Sequence, residues 1–225
     1  MDLVCGRILV PNGDYCETGE KIILETQSIV SRLKLRGSVC AKLYKTCIIK
    51  ENSFCFNTNM RVATDALFSY QYFALCKRVA ILSNVIYYYE QRPGSALHSF
   101  VPDYDRCRVL RTLGVKELYT HFPKMSDATR NAITATDSVN DLHDVSEYYT
   151  KYAGSKAAIQ ALGYLHEHYK DLYFLDTGEE LSSSARRFLH VYGDDLRSGN
   201  MWRLYWRMRI RGYVSAFFRF LCLKK

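Results

Sequence analysis

The sequence predicts an α/β domain with only a few strands, followed by a mainly α-helical region. Short apolar runs rich in β-branched and aromatic residues, which are typical of strands, are confined to about the first hundred residues. From Asp103 to about Leu175, apolar residues recur with helical spacing and strand signals are few. A chain of 225 residues, 48% of them hydrophobic, can bury one real core and carry a small appendage.

Strand and helix patterns alternate in the first part of the chain. The expected elements, in order, are a strand at Leu3–Val10, a helix at 21–35, an extended segment at 39–45, a helical turn at 48–51, a helix at 63–76 and a strand at 78–89. The helix at 63–76 is apolar nearly all round, so we expect it to be buried. Pro93-Gly94 predicts a turn at 91–95.

Helical patterns dominate the second part. The expected helices are 103–122, 125–136, 141–153, 155–170 and 183–192. Gly193-Asp194-Asp195 is interpreted as a loop or a helix cap, and Asp103-Tyr104-Asp105 as a helix N-terminus. The change of texture gives predicted domain boundaries of 1–97, 98–196 and 197–225.

The basic character of the chain belongs to its tail. Residues 197–225 hold eight Arg or Lys and no Asp or Glu, and this charge of +8 equals that of the whole chain. A basic field spread over the molecule, as nucleic-acid binding would favour, is not described by this pattern, so no nucleic-acid partner is expected. Trp, Phe and Arg share one helical stretch at 201–223, which predicts an amphipathic helix in an anionic membrane interface. The alternative is a C-terminal helix packed on the domain with a solvated basic face.

Several other classes are disfavoured by composition. The eight cysteines form no CxxC pair and no zinc-like cluster with histidine, which indicates scattered thiols in a reducing cytosol. The sequence has no run of 18 uncharged apolar residues, and its first residues do not have the pattern of a signal peptide. We therefore expect a cytoplasmic protein, peripheral on the inner face of the cell membrane.

Four short motifs stand in order over about sixty residues. They are Ser38-Val39-Cys40-Ala41-Lys42-Leu43-Tyr44-Lys45, Phe56, Ala63-Thr64-Asp65-Ala66-Leu67-Phe68 and Tyr87-Tyr88-Tyr89-Glu90-Gln91-Arg92-Pro93-Gly94-Ser95. Together they resemble the second half of the catalytic domain of bacterial family 2 glycosyltransferases, which have a GT-A fold. That family has a "KLY(K/R)" segment, then a Glu-Asp pair followed by "LLF", then a strand ending in "YYY" with a basic residue and a Ser after it.

The resemblance implies a role for each matching residue. Asp65 would be the general base that takes the proton from the acceptor hydroxyl during sugar transfer with inversion. Thr64 stands where the family has Glu, so the companion carboxylate is lost and full activity is in doubt. Local sequence alone favours an ordinary N-cap or first-turn acid of a helix at Asp65, and the surrounding set of motifs favours the base.

Three further residues are candidates near the donor diphosphate or the acceptor. Arg92 and Ser95 match the basic residue and the hydroxyl that approach the diphosphate in the family, and an Arg can donate two parallel hydrogen bonds there. Glu90 and Arg92 depart from the Arg and His that the family often has, and a surface turn with an incidental Arg is the alternative. Lys42 would lie on the acceptor side or support the site, with a solvated or salt-bridged lysine as the alternative.

The family's donor-binding half has no counterpart in this sequence. An Asp-x-Asp that would hold Mn²⁺ or Mg²⁺ on the diphosphate is missing from the expected position, so no cofactor is expected in this chain itself. We expect a truncated glycosyltransferase, inactive alone, or one piece of a split enzyme completed by a complementary N-terminal chain. Its partners would be a nucleotide-sugar donor and a glycan or lipid-linked acceptor. The alternative function is a non-catalytic acceptor-binding or membrane-docking module.

Overall fold

The computed structural model describes residues 1–10, 13–15, 21–24, 37–90, 99–120, 125–178 and 180–222. The chain divides into two compact units, Met1–Met125 and Ser126–Lys225. The first unit is α/β and the second is helical, which agrees with the predicted order of the two classes. The boundaries predicted from composition at 97 and 196 stay predictions.

The described residues of the first unit form one mixed sheet and three helices. Its elements are β1 (Leu3–Val10), β2 (Gly13–Tyr15), β3 (Lys21–Leu24), β4 (Lys42–Tyr44), α1 (Thr46–Glu51), α2 (Thr64–Leu75), β5 (Arg78–Tyr88) and α3 (Tyr104–Tyr119). β1 lies at the centre of this sheet, parallel to β5 on one side and antiparallel to β2 and β4 on the other. β3 pairs antiparallel with β5.

Gly6 allows the two central strands to approach each other at an irregularity. The pairing of β1 with β5 shifts register around Cys5, Arg7 and Ile8. A Cβ atom at Gly6 would lie 2.5 Å from Cγ1 of Ile86 on β5, which is shorter than a van der Waals contact between two carbon atoms. Glycine at position 6 therefore lets the strands stay paired through the shift.

The core of the first unit lies between α2 and the sheet. Its fully buried members are Leu3, Cys5, Tyr72, Phe73, Cys76, Val79 and Ile81. Burial of apolar surface of this kind is the main term that holds a helix on a sheet. The prediction of a buried helix at 63–76 is confirmed, as are the strands predicted at Leu3–Val10 and 78–89.

One predicted element of this unit is wrong. Residues 21–24 form strand β3, where the sequence analysis expects the start of a helix. The β-branched pair Ile22-Ile23 suits a strand, and pairing with β5 decides the conformation over the local apolar spacing. The rest of that expected helix, 25–35, and the turn predicted at 91–95 lie outside the described residues.

Three helices form the second unit. They are α4 (Asp127–Tyr169), α5 (Ser183–Arg197) and α6 (Met201–Cys222). α4 is interrupted at Gly154, whose φ of 85° and ψ of 174° are not helical. Serine side chains cap two N-termini: Ser126 Oγ accepts from the Thr129 N–H at 3.0 Å, and Ser182 Oγ accepts from the Ala185 N–H at 3.3 Å.

Two expectations for this unit need correction. The predicted gap between helices 125–136 and 141–153 does not exist, because buried Ala135, Val139 and Leu142 continue one apolar face through it. Gly193, Asp194 and Asp195 lie inside α5 and form neither a loop nor a cap. In the part of the chain that the structure describes, no helix has both the length and the apolar character needed to cross a bilayer.

Candidate active site at the start of α2

Asp65 occupies the first turn of α2, at the edge of the core of the first unit. The residue before the helix, Ala63, has a left-handed backbone with φ of 61° and offers no side-chain cap. The first-turn N–H groups therefore point at a region where a negative charge is favourable. Asp65 supplies that charge, and it is half-buried.

The Asp65 carboxylate is not engaged by the surrounding described residues. Among them it has neither a hydrogen-bond donor nor an ion-pair partner. Its neighbour Thr64 is engaged, since the Thr64 hydroxyl donates to the Asn57 carbonyl at 3.3 Å and ties the preceding loop to the helix. Thr64 thus acts as a loop anchor, whereas Asp65 is not bound by any of the described residues.

Tyr72 fixes the helix that carries Asp65 to the sheet. This side chain is fully buried, and its hydroxyl donates to the Asp2 carbonyl at 2.6 Å while accepting from the Lys45 N–H at 2.8 Å. These two bonds join α2 to the start of β1 and the end of β4. Burial of the Tyr72 phenol raises its pKa to about 12, so the hydroxyl stays protonated.

Tyr44 of β4 packs against α2, the helix that carries Asp65. Its hydroxyl shares a hydrogen bond of 3.1 Å with Ser69 Oγ, and its ring packs edge-on against Tyr72. Burial raises the pKa of Tyr44 well above its ordinary value, and the charge of Asp65 adds to this rise. The phenol is therefore a neutral hydrogen-bonding group within the electrostatic field of Asp65.

The segment before β4 packs directly on the start of α2. A Cβ atom at Gly37 would lie 2.8 Å from Cβ of Ala66, so a side chain there would push this segment off the helix. The Lys42 ammonium donates to the Ser38 carbonyl at 2.7 Å, and the Cys40 N–H bonds Ser38 Oγ at 3.2 Å. Lys42 thus holds a turn against the residue that follows Asp65.

Aromatic packing also supports the N-terminal part of α2. Phe56 stacks on Phe68 with ring centroids 4.7 Å apart, although Phe56 remains 48% exposed. The structure therefore brings together pieces of the first three motifs: Lys42 and Tyr44, Phe56, and Thr64 with Asp65. Arg92 and Ser95, from the fourth motif, lie outside the described residues.

Sequence reasoning missed three contributors to this arrangement. Tyr44 and Ser69 meet from elements 25 residues apart, and Gly37 is needed for close approach to Ala66. Tyr44 stands inside the first motif and could have been singled out there. Nothing local in the sequence signals Ser69 or Gly37, because their roles depend on which segments pack together.

A metal centre is not formed by the described part of the chain, where no three His, Cys, Asp or Glu side chains gather in a suitable group. Asp103 and Asp105 lie at the cap and in the first turn of α3, which confirms their interpretation as a helix N-terminus. Asp103 faces Arg61, with Oδ1 and Nε 3.6 Å apart. The residues present do not fit a divalent-cation site, and no catalytic step is derived through one.

The fold of this chain has counterparts among solved structures. Two crystal structures of Staphylococcus aureus TarS residues 1–349 share it: the complex with UDP-GlcNAc aligns with a TM-score of 0.62 at 18% identity, and the complex with UDP with 0.58 at 17%. Each alignment covers 94% of this chain, but only 60% and 59% of the TarS chain. The chain therefore shares its fold with part of TarS residues 1–349.

Sequence comparison leads to the same protein. The chain is 29% identical over 111 residues to the poly(ribitol-phosphate) beta-N-acetylglucosaminyltransferase TarS of S. aureus strains Mu50 and MW2. The match covers 48% of this chain and 18% of TarS, so the chain spans about a fifth of the length of these relatives. No protein-family model matches the sequence. The chain is related to a glycosyltransferase over about half its length.

Proposed function

We propose that this chain forms the acceptor-side part of a glycosyltransferase that moves a sugar, with inversion, from a nucleotide-sugar donor to a cell-surface polysaccharide or a lipid-linked acceptor. The observation that carries the proposal is the Asp65 carboxylate in the first turn of an interior helix, which none of the described residues engages. The relationship to TarS, which was crystallised with UDP-GlcNAc, supports a uridine diphosphate sugar as donor.

Asp65 is the proposed general base. As the acceptor hydroxyl attacks the anomeric carbon, its proton passes to the Asp65 carboxylate, and the bond between sugar and diphosphate breaks. The positive end of the α2 dipole favours a negative charge at this position of the helix. A positioned base contributes about 10² to 10⁴ in rate. Thr64 adds no second carboxylate, so Asp65 does this work alone.

Donor binding is proposed to depend on polypeptide beyond these residues, in the same protein or in a complementary chain. Arg92 and Ser95 would approach the diphosphate, and a Mn²⁺ or Mg²⁺ ion would come with the donor-binding part. Calorimetry of the 225-residue chain with UDP-GlcNAc and Mn²⁺ tests this directly. The expected result is no measurable binding, and micromolar binding would overturn this part of the proposal.

The test of the base uses the chain fused to the donor-binding part of TarS. Transfer from UDP-GlcNAc is expected in the fusion, and Asp65→Asn should lower its rate by about 10² to 10⁴. Asp127→Asn is the matched control, because Asp127 is likewise a first-turn carboxylate but lies on α4. Equal rates for the fusion and its Asp65→Asn variant would exclude Asp65 as the base.

A second candidate is a non-catalytic acceptor-binding or membrane-docking module. It is favoured by Thr64, which stands where the family has a carboxylate, and by the basic tail. In the same fusion this candidate predicts no transfer at all while binding of acceptor or vesicles persists. A fusion that transfers sugar would reject it.

We also propose that the protein works at the inner face of the cell membrane through residues 197–225. Neutralising Arg219, Lys224 and Lys225 to Gln should weaken binding to anionic vesicles by about tenfold per charge at most, since each basic residue contributes about 1 kcal/mol near such a surface. The control replaces three exposed lysines of the first unit, Lys50, Lys77 and Lys116, by Gln. If both triple variants lose binding equally, vesicle binding depends on the net charge of the protein and not on the location of the basic residues in the tail.

A further inference from the structure

α6 exposes a stripe of large apolar side chains. Trp202, Trp206, Ile210 and Tyr213 are 63%, 40%, 59% and 64% exposed, and we call them the α6 stripe. Their spacing of four, four and three residues places them along one face of a helix. Burying such side chains in water-free surroundings is worth about 1.5 to 3 kcal/mol each. An exposed stripe of this size indicates a binding surface.

The opposite face of α6 is packed within the second unit. Met201, Leu204 and Tyr205 are buried, and the Tyr205 hydroxyl shares a hydrogen bond of 3.1 Å with Thr150 on α4. The helix therefore cannot turn its stripe inward without opening this core. The stripe is a fixed outward feature of the folded unit.

A buried carboxylate sets the rotation of α6. Asp195 on α5 is fully buried and accepts hydrogen bonds from Arg203 and Arg207. Arg207 also donates to the Val191 carbonyl at 2.9 Å, and its guanidinium lies over the Tyr192 ring. These contacts hold α6 against α5 at two successive turns and define which face points outward.

Basic side chains border the stripe on both sides. Arg203, Arg207 and Arg211 follow each other at a spacing of four residues along one border. On the other border, Arg209 donates to the Tyr213 hydroxyl at 2.9 Å. Residues 197–225 contain no Asp or Glu. The carboxylates that face these arginines are buried Asp195, which Arg203 and Arg207 share, and Glu147, whose Oε1 lies 4.0 Å from Arg209 Nη1. Arg203 and Arg207 remain 47% and 44% exposed.

We propose that the α6 stripe inserts into the interfacial layer of an anionic bilayer, with α6 parallel to the membrane plane and the bordering arginines at the lipid phosphates. This inference rests on the proposed membrane location and adds a defined insertion face to it. The indole and phenol groups of Trp and Tyr favour the boundary between headgroups and acyl chains. Charge complementarity selects lipid phosphate as the partner, and such helices sit about 5 to 10 Å deep.

The fluorescence of the two tryptophans of the chain reports on the surroundings of the α6 stripe. The protein has Trp at positions 202 and 206 alone, so all indole fluorescence comes from the stripe. The full chain would be titrated with vesicles of phosphatidylcholine, with and without phosphatidylglycerol. With anionic vesicles the emission should shift to shorter wavelength, and brominated acyl chains should quench it. With pure phosphatidylcholine the apparent affinity should be at least about tenfold lower, since charge pairs add about 1 kcal/mol each.

A matched pair of variants separates insertion from simple attraction of charges. Ile210→Glu places a charge inside the stripe, and Gln160→Glu makes the same charge change at an exposed position on α4. Ile210→Glu should lower vesicle affinity at least about tenfold relative to Gln160→Glu, because the apolar gain of one Ile is lost. Far-ultraviolet circular dichroism would verify that both variants are folded.

The outcomes distinguish this inference from the membrane location on which it rests. If the tail-neutralised variant loses binding but Ile210→Glu and Gln160→Glu bind equally, the tail is an electrostatic tether and the insertion face is wrong. Binding that is equal for both lipid mixtures overturns the choice of anionic lipid. A blue shift that grows with protein concentration and needs no vesicles would assign the stripe to a second copy of this chain.

Discussion

The two units hold their central helices in different ways. In the first unit a neutral phenol, Tyr72, bonds backbone groups of two neighbouring segments, and the only carboxylate of that helix, Asp65, stays unengaged by described residues. In the second unit the carboxylate of Asp195 is itself the fastener, buried between two arginines. A carboxylate used for packing cannot serve chemistry. The first unit, by using a phenol, leaves its carboxylate available to a ligand.

The largest expected effect comes from removing the carboxylate of Asp195, which forms ion pairs with Arg203 and Arg207. Asp195→Ala should destabilise the second unit by about 3 kcal/mol, the lower end of the range for breaking a buried ion pair, because the guanidinium groups of Arg203 and Arg207 are about half exposed and can reach water. Urea unfolding followed by Trp202 and Trp206 fluorescence reports on this unit. Asp194→Ala, at an exposed neighbouring position, is the control. A loss below about 1 kcal/mol for Asp195→Ala would show that the cluster is not a fastener.

Removing the hydroxyl of Tyr72 should lower the free energy of unfolding by less. Tyr72→Phe deletes one buried hydroxyl and should destabilise the first unit by about 1 to 2 kcal/mol. The cost stays moderate because the Lys45 N–H also reaches the Asp2 carbonyl at 3.2 Å. Amide hydrogen exchange in β1 and β5 measures the change. Tyr88→Phe, on a side chain 59% exposed, should leave exchange unaltered, and equal effects of both variants would contradict the role assigned to Tyr72.

The sequence predicts the first unit better where pattern and packing agree. The alternation of β1, the length of α2 and the apolar character of β5 can all be read locally, and they agree with the structure. β3 fails because Ile22-Ile23 fits helix and strand spacing equally, and pairing with β5 decides. The Asp65 motif was found by its resemblance to a family, whereas its neighbours Tyr44 and Ser69 depend on a contact over 25 residues.

In the second unit the sequence gives the helices but not their continuity. Thr136, Asn140 and nearby polar residues suggest a gap in α4, yet buried Ala135 and Leu142 continue the helix through it. Gly154, by contrast, interrupts α4 where the sequence predicts a gap between helices. Asp195 reads as a loop residue because an aspartate is rarely fully buried. Its arginine partners lie on the next helix, and only the fold brings them together.

Asp65→Asn should sharpen the contrast with Asp195. Since none of the described residues bonds Asp65, the stabilising term expected to be lost is the interaction of its charge with the α2 dipole, about 0.3 to 1 kcal/mol. Amide hydrogen exchange of α2 in the intact chain would measure it. A loss near that of Asp195→Ala would mean that Asp65 serves packing, which contradicts its proposed availability for catalysis.

The smallest expected effect concerns Asp2, a carboxylate of the first unit that backbone N–H groups hold in place. Asp2 Oδ2 accepts the N–H groups of Lys77 and Arg78 at 2.9 and 3.0 Å. Burial by itself would raise the pKa of Asp2, but these two donors and the charge of Lys45 together hold it below the ordinary value of 3.8. The Asp2 contribution to stability is therefore complete above about pH 4 and is lost as the pH falls through the lowered folded-state pKa.

Two amide signals make this titration directly measurable. In nuclear magnetic resonance spectra, the Lys77 and Arg78 amide shifts should move together in acid, with a midpoint below 3.8. Asp2→Asn should abolish that shared titration. A midpoint above 3.8 would mean that desolvation outweighs the two N–H donors. In the first unit the neutral Tyr72 phenol, and not a carboxylate, would then hold the structure together. In the second unit the Asp195 carboxylate has that role.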